Sequence, residues 1–174
     1  PREHGLATFR ALTPSQRKTG KYFLVVALVF LLQILFGAIM AHYYSERADI
    51  YGFPVDRYLP FNFLRDVHTQ SPIVWIGLSW IAAALFRASA ISGQEARWQC
   101  LLVDILFYVT LAVVVGALVG DYFGVMGYIG KGWFWFGSQG LSYIQLRRAW
   151  QIGFFSGLII WTLLVFRALW ATRT

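Results

Sequence analysis

One histidine and two residues on the same helical face form the strongest candidate for chemistry in this chain. His68 has Arg65 three residues before it and Trp75 seven residues after it, where a polar loop gives way to an apolar run. On a helix, those offsets put the three side chains on roughly one face. An imidazole with a guanidinium one turn away suits haem, with His68 on the iron and Arg65 at a propionate. The alternative is a histidine that only extends toward the membrane interface.

A second pair, His42 and Glu46, lies four residues apart just past an apolar run. The two side chains share a face if the helix continues one turn beyond that run. A histidine beside a carboxylate can accept protons and hydrogen-bond the oxygens of a quinone headgroup. Polar residues also collect at helix ends because water begins there, so a purely interfacial role stays open. Asp104, one turn inside another apolar run, is either an intramembrane functional carboxylate or a group that meets the interface or the helix dipole.

The composition predicts an integral membrane protein. Of 174 residues, 58% are hydrophobic and only 13% are charged, with a mean hydropathy of +0.57, whereas soluble domains have about 25% charged residues. The net charge of +7 is therefore attributed to arginines near acidic membrane lipid headgroups and not to nucleic-acid binding. The single cysteine, Cys100, excludes an internal disulfide, and the sequence has no C-x-x-C-H motif to attach a c-type haem.

Four apolar runs predict an all-α integral membrane fold with four transmembrane helices. We expect the crossings at about residues 22–42, 61–87, 100–120 and 149–170, after a basic lead-in over 1–21 and before a tail over 171–174. A helix of about 20 residues rises roughly 30 Å, enough to cross a hydrocarbon core. Pro72 complicates the second crossing because it removes the hydrogen bond to the carbonyl of His68. Either that helix is kinked there, or it starts at Ser71 and leaves His68 just outside.

The distribution of basic residues predicts an orientation in the membrane. The side that carries both ends of the segment has the larger share of the 15 Lys and Arg residues, so both ends are expected in the cytoplasm. His42, Glu46, Arg65 and His68 would then lie together at the periplasmic side, which puts a quinol site and a haem at one depth. The aromatic run Trp133–Phe136 predicts an interfacial belt that lies on the membrane or covers a neighbouring structure.

From about Leu12 to Trp170, the chain also resembles quinol-dependent nitric oxide reductase of the haem–copper oxidase superfamily. The motifs that carry the resemblance are, in order, LTPSQRKTGKYFLVV, AHYYSE, YGFP, FLRDVHTQ, VWIGLSW, WFWFGSQG, WQIGFFSGLIIW and FRALW. The resemblance implies that His68, in the R-x-x-H-T-Q motif, is an axial ligand of a low-spin haem b and that Arg65 lies near a propionate. It also implies that His42 and Glu46 bind quinol.

The chain departs from the pattern of that family in three respects. Ser142 and Gln145 stand where relatives have two acidic residues near the haem propionates, so a metal bridge or proton path that relies on those carboxylates is not implied. Ile50 stands where the quinol pocket often has an aromatic residue. Pro72 follows the haem histidine where a non-proline residue is expected. These changes imply either a divergent branch with altered proton delivery or a member with weakened activity.

The number of histidines limits what this chain does alone. A bis-histidine haem, a high-spin haem b3 and a non-haem iron need more imidazoles than His4, His42 and His68 provide. The resemblance therefore implies a segment of a larger enzyme of the bacterial inner membrane, part of a larger haem–copper-oxidase-like bundle. This segment would receive electrons, with the centre that reduces two NO to N2O further along the chain. A homodimer is left open, as are two other classes: a stand-alone cytochrome-b-like subunit and a helical bundle without cofactor.

Overall fold

Helices dominate the part of the chain that the structure describes. The computed structural model describes residues 11–46, 52–141 and 145–170. Three predicted features lie outside those residues: most of the lead-in before Pro14, the tail over 171–174, and two of the positions that depart from the family pattern, Ile50 and Ser142. The described ranges contain helices and no β-strand, so the all-α prediction is confirmed.

Four long helices form the bundle, and three short elements connect or flank them. The α-helices are α1 (Pro14–Ser45), α2 (Val55–Tyr58), α3 (Phe61–Ser92), α4 (Gln99–Val125), α5 (Trp133–Phe136) and α6 (Arg148–Trp170), with a turn of 3-10 helix at Gly130–Gly132. The helices α1, α3, α4 and α6 are long and apolar enough to cross a membrane, as the apolar runs predicted. Three of them extend past the predicted crossings, because the polar residues at their ends are helical too.

The first helix begins inside the predicted basic lead-in. The hydroxyl of Thr13 accepts the Gln16 N–H at 3.3 Å, and the Thr13 N–H donates to Gln16 Oε1 at 2.9 Å. This is a capping box, and Pro14 occupies the first turn, where its missing N–H costs nothing. Lys18 and Lys21 therefore belong to the opening turns of α1 and not to a loop.

The helix that carries His68 is continuous from Phe61 to Ser92 and contains Pro72. It follows Pro60 and ends at Gly93, whose φ of 65° lies in the left-handed region that glycine adopts at little cost. The interpretation in which this helix starts at Ser71 is wrong. His68 lies well inside the helix, and its carbonyl is the one that Pro72 cannot bond.

The long helices pack antiparallel in sequence order, which gives the bundle two ends. Ser15 near the start of α1 meets Ser89 near the end of α3, with their hydroxyl oxygens 3.0 Å apart. Tyr22 is fully buried in the adjoining core, and its hydroxyl donates to the carbonyl of Val103 on α4 at 2.7 Å. We call this end, where α1 and α4 begin, the lysine end. The opposite end, where α1 and α4 finish and α3 and α6 begin, is the histidine end.

Two ion pairs join α1 to α4 at the lysine end. Lys18 and Lys21 both bind the carboxylate of Asp104, and the ammonium of Lys21 also lies 4.4 Å from the centre of the Phe107 ring. These contacts favour the interfacial interpretation of Asp104, since the carboxylate is held between two cations where α1 and α4 begin.

Replacing Asp104 with asparagine is expected to lower the midpoint of thermal unfolding slightly. Both ion pairs are partly exposed, so salt screens them, and the difference from wild type should shrink as salt is raised. The measurement is thermal unfolding of the full-length protein in detergent, followed by helical circular dichroism, at low and high salt. Asp56→Asn, at an exposed carboxylate on α2, is the control and should change little. A loss of equal size at both salt concentrations would contradict this account of Asp104.

Candidate functional site

His68 lies on the face of α3 that packs against α1. Its Nδ1 is 2.8 Å from the backbone carbonyl oxygen of Gln33. A carbonyl oxygen can only accept, so Nδ1 carries a proton, and in the neutral imidazole Nε2 then keeps its lone pair. An imidazole that binds a metal needs this protonation state, and the hydrogen bond from the other ring nitrogen fixes the orientation of the ring.

Gly37 on α1 provides the space for this ring. A Cβ placed at Gly37 would lie 2.6 Å from Cε1 and 2.9 Å from Nδ1 of His68, closer than van der Waals contact allows. The imidazole therefore occupies a notch that glycine leaves open. The sequence analysis did not identify Gly37, because a glycine inside an apolar run carries no sign of what packs against it.

Gln33 connects His68 with Trp75. The indole Nε1 of Trp75 donates to the side-chain oxygen of Gln33 at 2.7 Å, while the backbone of Gln33 holds His68. The ring of Phe30 packs edge-on against Trp75, with centroids 5.5 Å apart. The structure thus brings His68 and Trp75 to one residue of α1, as their shared helical face predicted. Gln33 was missed as a site residue, although a glutamine in the middle of an apolar run is itself a signal that a polar partner lies nearby.

Arg65 extends away from α1 toward the segment before α6. Its guanidinium donates to the carbonyl oxygen of Gly140 at 2.6 Å. Two features require glycine at position 140. Gly140 has a φ of 74°, and a Cβ there would lie 2.6 Å from Cβ of Asn62. Arg65 and His68 share α3 one turn apart, but they contact different elements of the bundle.

His42 and Glu46 form the predicted pair. The helix continues past the apolar run to Ser45, and Nδ1 of His42 lies 2.8 Å from Oε2 of Glu46. Both side chains are about half exposed, at 48% and 45%. The pair is therefore accessible from the surface at the histidine end, on the helix that also holds His68 in place through Gln33.

The aromatic run and two arginines surround a polar cavity at the same end. The cavity has a volume of about 380 Å³, and its walls include Trp133, Phe134, Gln145, Arg147 and Arg148. The guanidinium of Arg148 lies 3.8 Å from the centre of the Phe134 ring, and that of Arg147 lies 5.5 Å from Trp133. The side chain of Gln145 is exposed. Phe134 is 44% exposed.

Two buried carboxylates at this end were not recognised as site residues from the sequence. Asp66 is 0% exposed and Asp121 is 3% exposed. Asp66 lies inside the motif of His68, and Asp121 directly follows residue 120, where the predicted third crossing ends. We call the group formed by Asp66, Asp121, Gln70, Ser138 and Arg147 the polar layer. Five more residues of α4 beyond Gly120 are helical, which is why Asp121 faces the interior.

The described residues fit one axial position of a haem. His68 presents the required protonation state and lies in a notch shaped for its ring. Within the described ranges, no group of three or more His, Cys, Asp or Glu residues is close enough to hold a metal ion. His42, the other histidine in those ranges, is bound to Glu46 at the far end of α1. A second axial ligand would therefore have to come from outside this part of the chain.

Residues 17–174 match the family model described as cytochrome c and quinol oxidase polypeptide I, and the chain belongs to this family of haem–copper oxidoreductases. It is also similar to one subunit of the nitric oxide reductase of Stutzerimonas stutzeri, with 35% identity over 109 residues. The aligned part makes up 63% of this chain and 22% of that relative. The chain thus spans about a fifth of the length of that relative, and it is a multi-pass membrane protein of an oxidoreductase family.

Proposed function

We propose that this chain is the electron-receiving part of a quinol-oxidising nitric oxide reductase, with His68 as an axial ligand of a low-spin haem b. The full reaction combines two NO with two electrons and two protons to give N2O and water. The observation that carries the proposal is the His68 ring, which is fixed through Nδ1 by the Gln33 carbonyl and keeps Nε2 for iron. The similarity to a nitric oxide reductase of Stutzerimonas stutzeri supports the choice of substrate.

Each residue near the haem would have a separate role. A bound haem supplies one-electron redox chemistry at this place. Gln33 and Gly37 orient the imidazole, and Trp75 in turn holds the side chain of Gln33. Arg65 lies one turn from His68 and supplies a positive charge toward the propionates, which bind guanidinium well.

The quinol would bind at His42 and Glu46. Quinol oxidation releases two protons with its two electrons, so the site needs a group that accepts a proton from the headgroup hydroxyl. Glu46 holds His42 by a hydrogen bond of 2.8 Å, and a histidine oriented by a carboxylate is suited to that role. The exposure of both side chains allows a lipid-soluble quinol to reach them from the membrane.

The proposed setting is the bacterial inner membrane, with both ends of the segment in the cytoplasm. The distribution of Lys and Arg supports this orientation, which puts the histidine end on the periplasmic side. The high-spin haem b3 and the non-haem iron that reduce NO would be bound by residues beyond this segment. NO and quinol are the proposed small-molecule partners, and membrane lipid surrounds the helices.

The experiment that tests this proposal uses the full-length protein purified from membranes. A reduced-minus-oxidised spectrum should show a low-spin b haem, and an NO electrode should record consumption of NO on addition of quinol, with N2O found in the headspace. A b-type spectrum without NO consumption would favour the stand-alone cytochrome-b-like subunit. A colourless protein would favour the cofactor-free bundle and would overturn the proposal entirely.

Replacing His42 with alanine is expected to lower kcat/KM for quinol by about tenfold to a hundredfold, the scale of one lost charge-assisted hydrogen bond. Glu46→Gln should have a smaller effect in the same direction, because it keeps the size but loses the charge that holds His42. The measurement is steady-state NO consumption at varied quinol concentration.

The matched control for this pair is Tyr44→Ala, at a side chain that is 90% exposed and lies between them in the sequence. It should leave both kinetic constants near wild type, and all three variants should keep the b-haem spectrum. An unchanged kcat/KM in His42→Ala would place the quinol elsewhere.

A further inference from the structure

Asp66 and Asp121 bring two carboxyl groups into the interior of the bundle from different helices. Asp66 on α3 and Asp121 on α4 are almost wholly buried, and they are close enough to interact electrostatically. Ionisable residues inside membrane helices are costly, and they usually face protein or water and serve a function. Neither carboxyl group is used by the proposed haem or quinol site.

The charges around the two carboxyl groups come from arginines on two elements. Arg147, in the segment before α6, interacts with both Asp66 and Asp121, and Arg65 interacts with Asp66. Arg147 also donates to the hydroxyl of Ser138 at 3.1 Å. Two positive groups thus stand near two acidic groups, so the polar layer does not need a further metal cation to balance its charge.

The hydrogen bonding of the polar layer is incomplete. Both carboxyl oxygens of Asp66 and the Nε2 of Gln70 have no hydrogen-bond partner within 3.5 Å among the residues that the structure describes, although Ser138 lies near Asp66 and Asp121 lies near Gln70. Gln70 is only 6% exposed and lies near Asp121. A buried polar group left without a partner destabilises the fold, and ordered water is the usual partner when no protein group reaches it.

A cavity adjoins Gln70 and Asp121. It has a volume of about 50 Å³ and is lined on its polar side by Gln70, Ser71 and Asp121, with apolar residues of α1, α3 and α4 around the rest. Since one water molecule needs roughly 10–15 Å³ of such volume, several fit. The hydroxyl of Ser71 donates to the Val67 carbonyl at 2.6 Å and keeps its oxygen as an acceptor, while the amide of Gln70 can donate and Asp121 can accept.

We propose that this cavity between the helices is a water-binding site, in which water held by Asp121, Gln70 and Ser71 forms a relay for protons at the histidine end of the bundle. The carboxyl group of Asp121 passes its proton to a bound water molecule, this water releases another of its protons to the next water in the cavity, and the carboxylate left behind then takes up a new proton. Arg147 and Asp66 face Asp121 from the segment before α6 and from α3, and the cavity walls on α1 are the apolar residues Val29 and Leu32. The proposed water site does not depend on the proposal that the full-length protein reduces NO.

The first test is a structure of the full-length protein at a resolution that shows ordered water. Density for water between Asp121, Gln70 and Ser71 is expected. A dry cavity, or one filled by a side chain from another part of the protein, would overturn the proposal. A hydrated cavity in a protein that does not reduce NO would support the water site and reject the proposed reaction, so the two failures are distinguishable.

The second test measures proton movement. Asp121→Asn, which keeps the shape of the side chain, should slow proton uptake during a single reductive turnover by about tenfold or more, as read from a pH-sensitive dye, with the haem spectrum unchanged. Gln70→Leu should remove water density next to residue 70. Thr110→Val is the matched control, because Thr110 is a buried polar residue of α4 whose hydroxyl already bonds the Leu106 carbonyl at 2.7 Å. Equal rates in wild type and Asp121→Asn would rule out the relay.

Discussion

Replacing His68 with alanine is expected to abolish the low-spin b-haem signal in the reduced-minus-oxidised spectrum of the full-length protein. The imidazole is held by the Gln33 carbonyl so that its Nε2 can bind iron, and alanine offers no ligand in its place. Quinol-driven NO consumption should fall on the order of a hundredfold or more, because electrons would lose their route from the quinol. Optical spectroscopy and the NO electrode measure the two effects on one sample.

Two further variants separate ligation from general damage. Gly37→Ala keeps His68 but places a Cβ against its ring, so it should shift or weaken the same haem band without removing any ligand. His42→Ala removes the other described histidine and should leave the band intact. A wild-type spectrum in His68→Ala would show that His68 only meets the interface, and the assignments of Arg65 and Gln33 would fail with it.

Replacing Gly120 with alanine is expected to destabilise the bundle by about 1–3 kcal/mol or more, the cost of forcing atoms into a packed interior. A Cβ at Gly120 would lie 1.7 Å from the carbonyl oxygen of Phe136, and a backbone atom cannot rotate aside as a side chain can. The same carbonyl accepts the indole N–H of Trp150 at 2.8 Å. The substitution therefore pushes α4 away from both α5 and α6, and a clearly lower midpoint of thermal unfolding is the expected result.

Gly157→Ala is the matched control for Gly120→Ala. Gly157 is also a buried glycine of a long helix, but a Cβ there meets nothing within 4 Å. Alanine should be neutral or slightly stabilising at this position, since it favours helix more than glycine does. If both substitutions lower the midpoint equally, the close approach of α4 to Phe136 does not limit stability.

The class of fold could be predicted from composition and apolar runs alone. A run of about 20 hydrophobic residues that crosses a lipid bilayer is expected to be an α-helix, because every backbone polar group must be hydrogen-bonded within the segment. The four crossings and their order follow from this. The ends of the helices were predicted less accurately. The capping box at Thr13 starts α1 within the predicted basic lead-in, and α3 runs through Pro72 and does not start next to it.

The candidate ligand and the quinol pair could also be proposed from sequence, because both depend on spacing along one helix. His42 and Glu46 lie four residues apart and meet as that spacing predicts. His68 was proposed from its motif. The partner that sets its protonation state, Gln33, lies 35 positions earlier and could not be paired with it, since periodicity along one helix says nothing about which residue of another helix faces it.

The sequence by itself therefore determined the membrane-spanning fold and the residues whose chemistry suits haem and quinol. Only the tertiary structure decided how those residues are held and what surrounds them. The notch at Gly37, the close contact of Gly120 with Phe136, and the buried neighbours Asp66 and Asp121 all join different helices. Such contacts depend on how each helix is rotated about its axis and on distances of a few ångströms between helices. No local pattern along the chain encodes these rotations or distances.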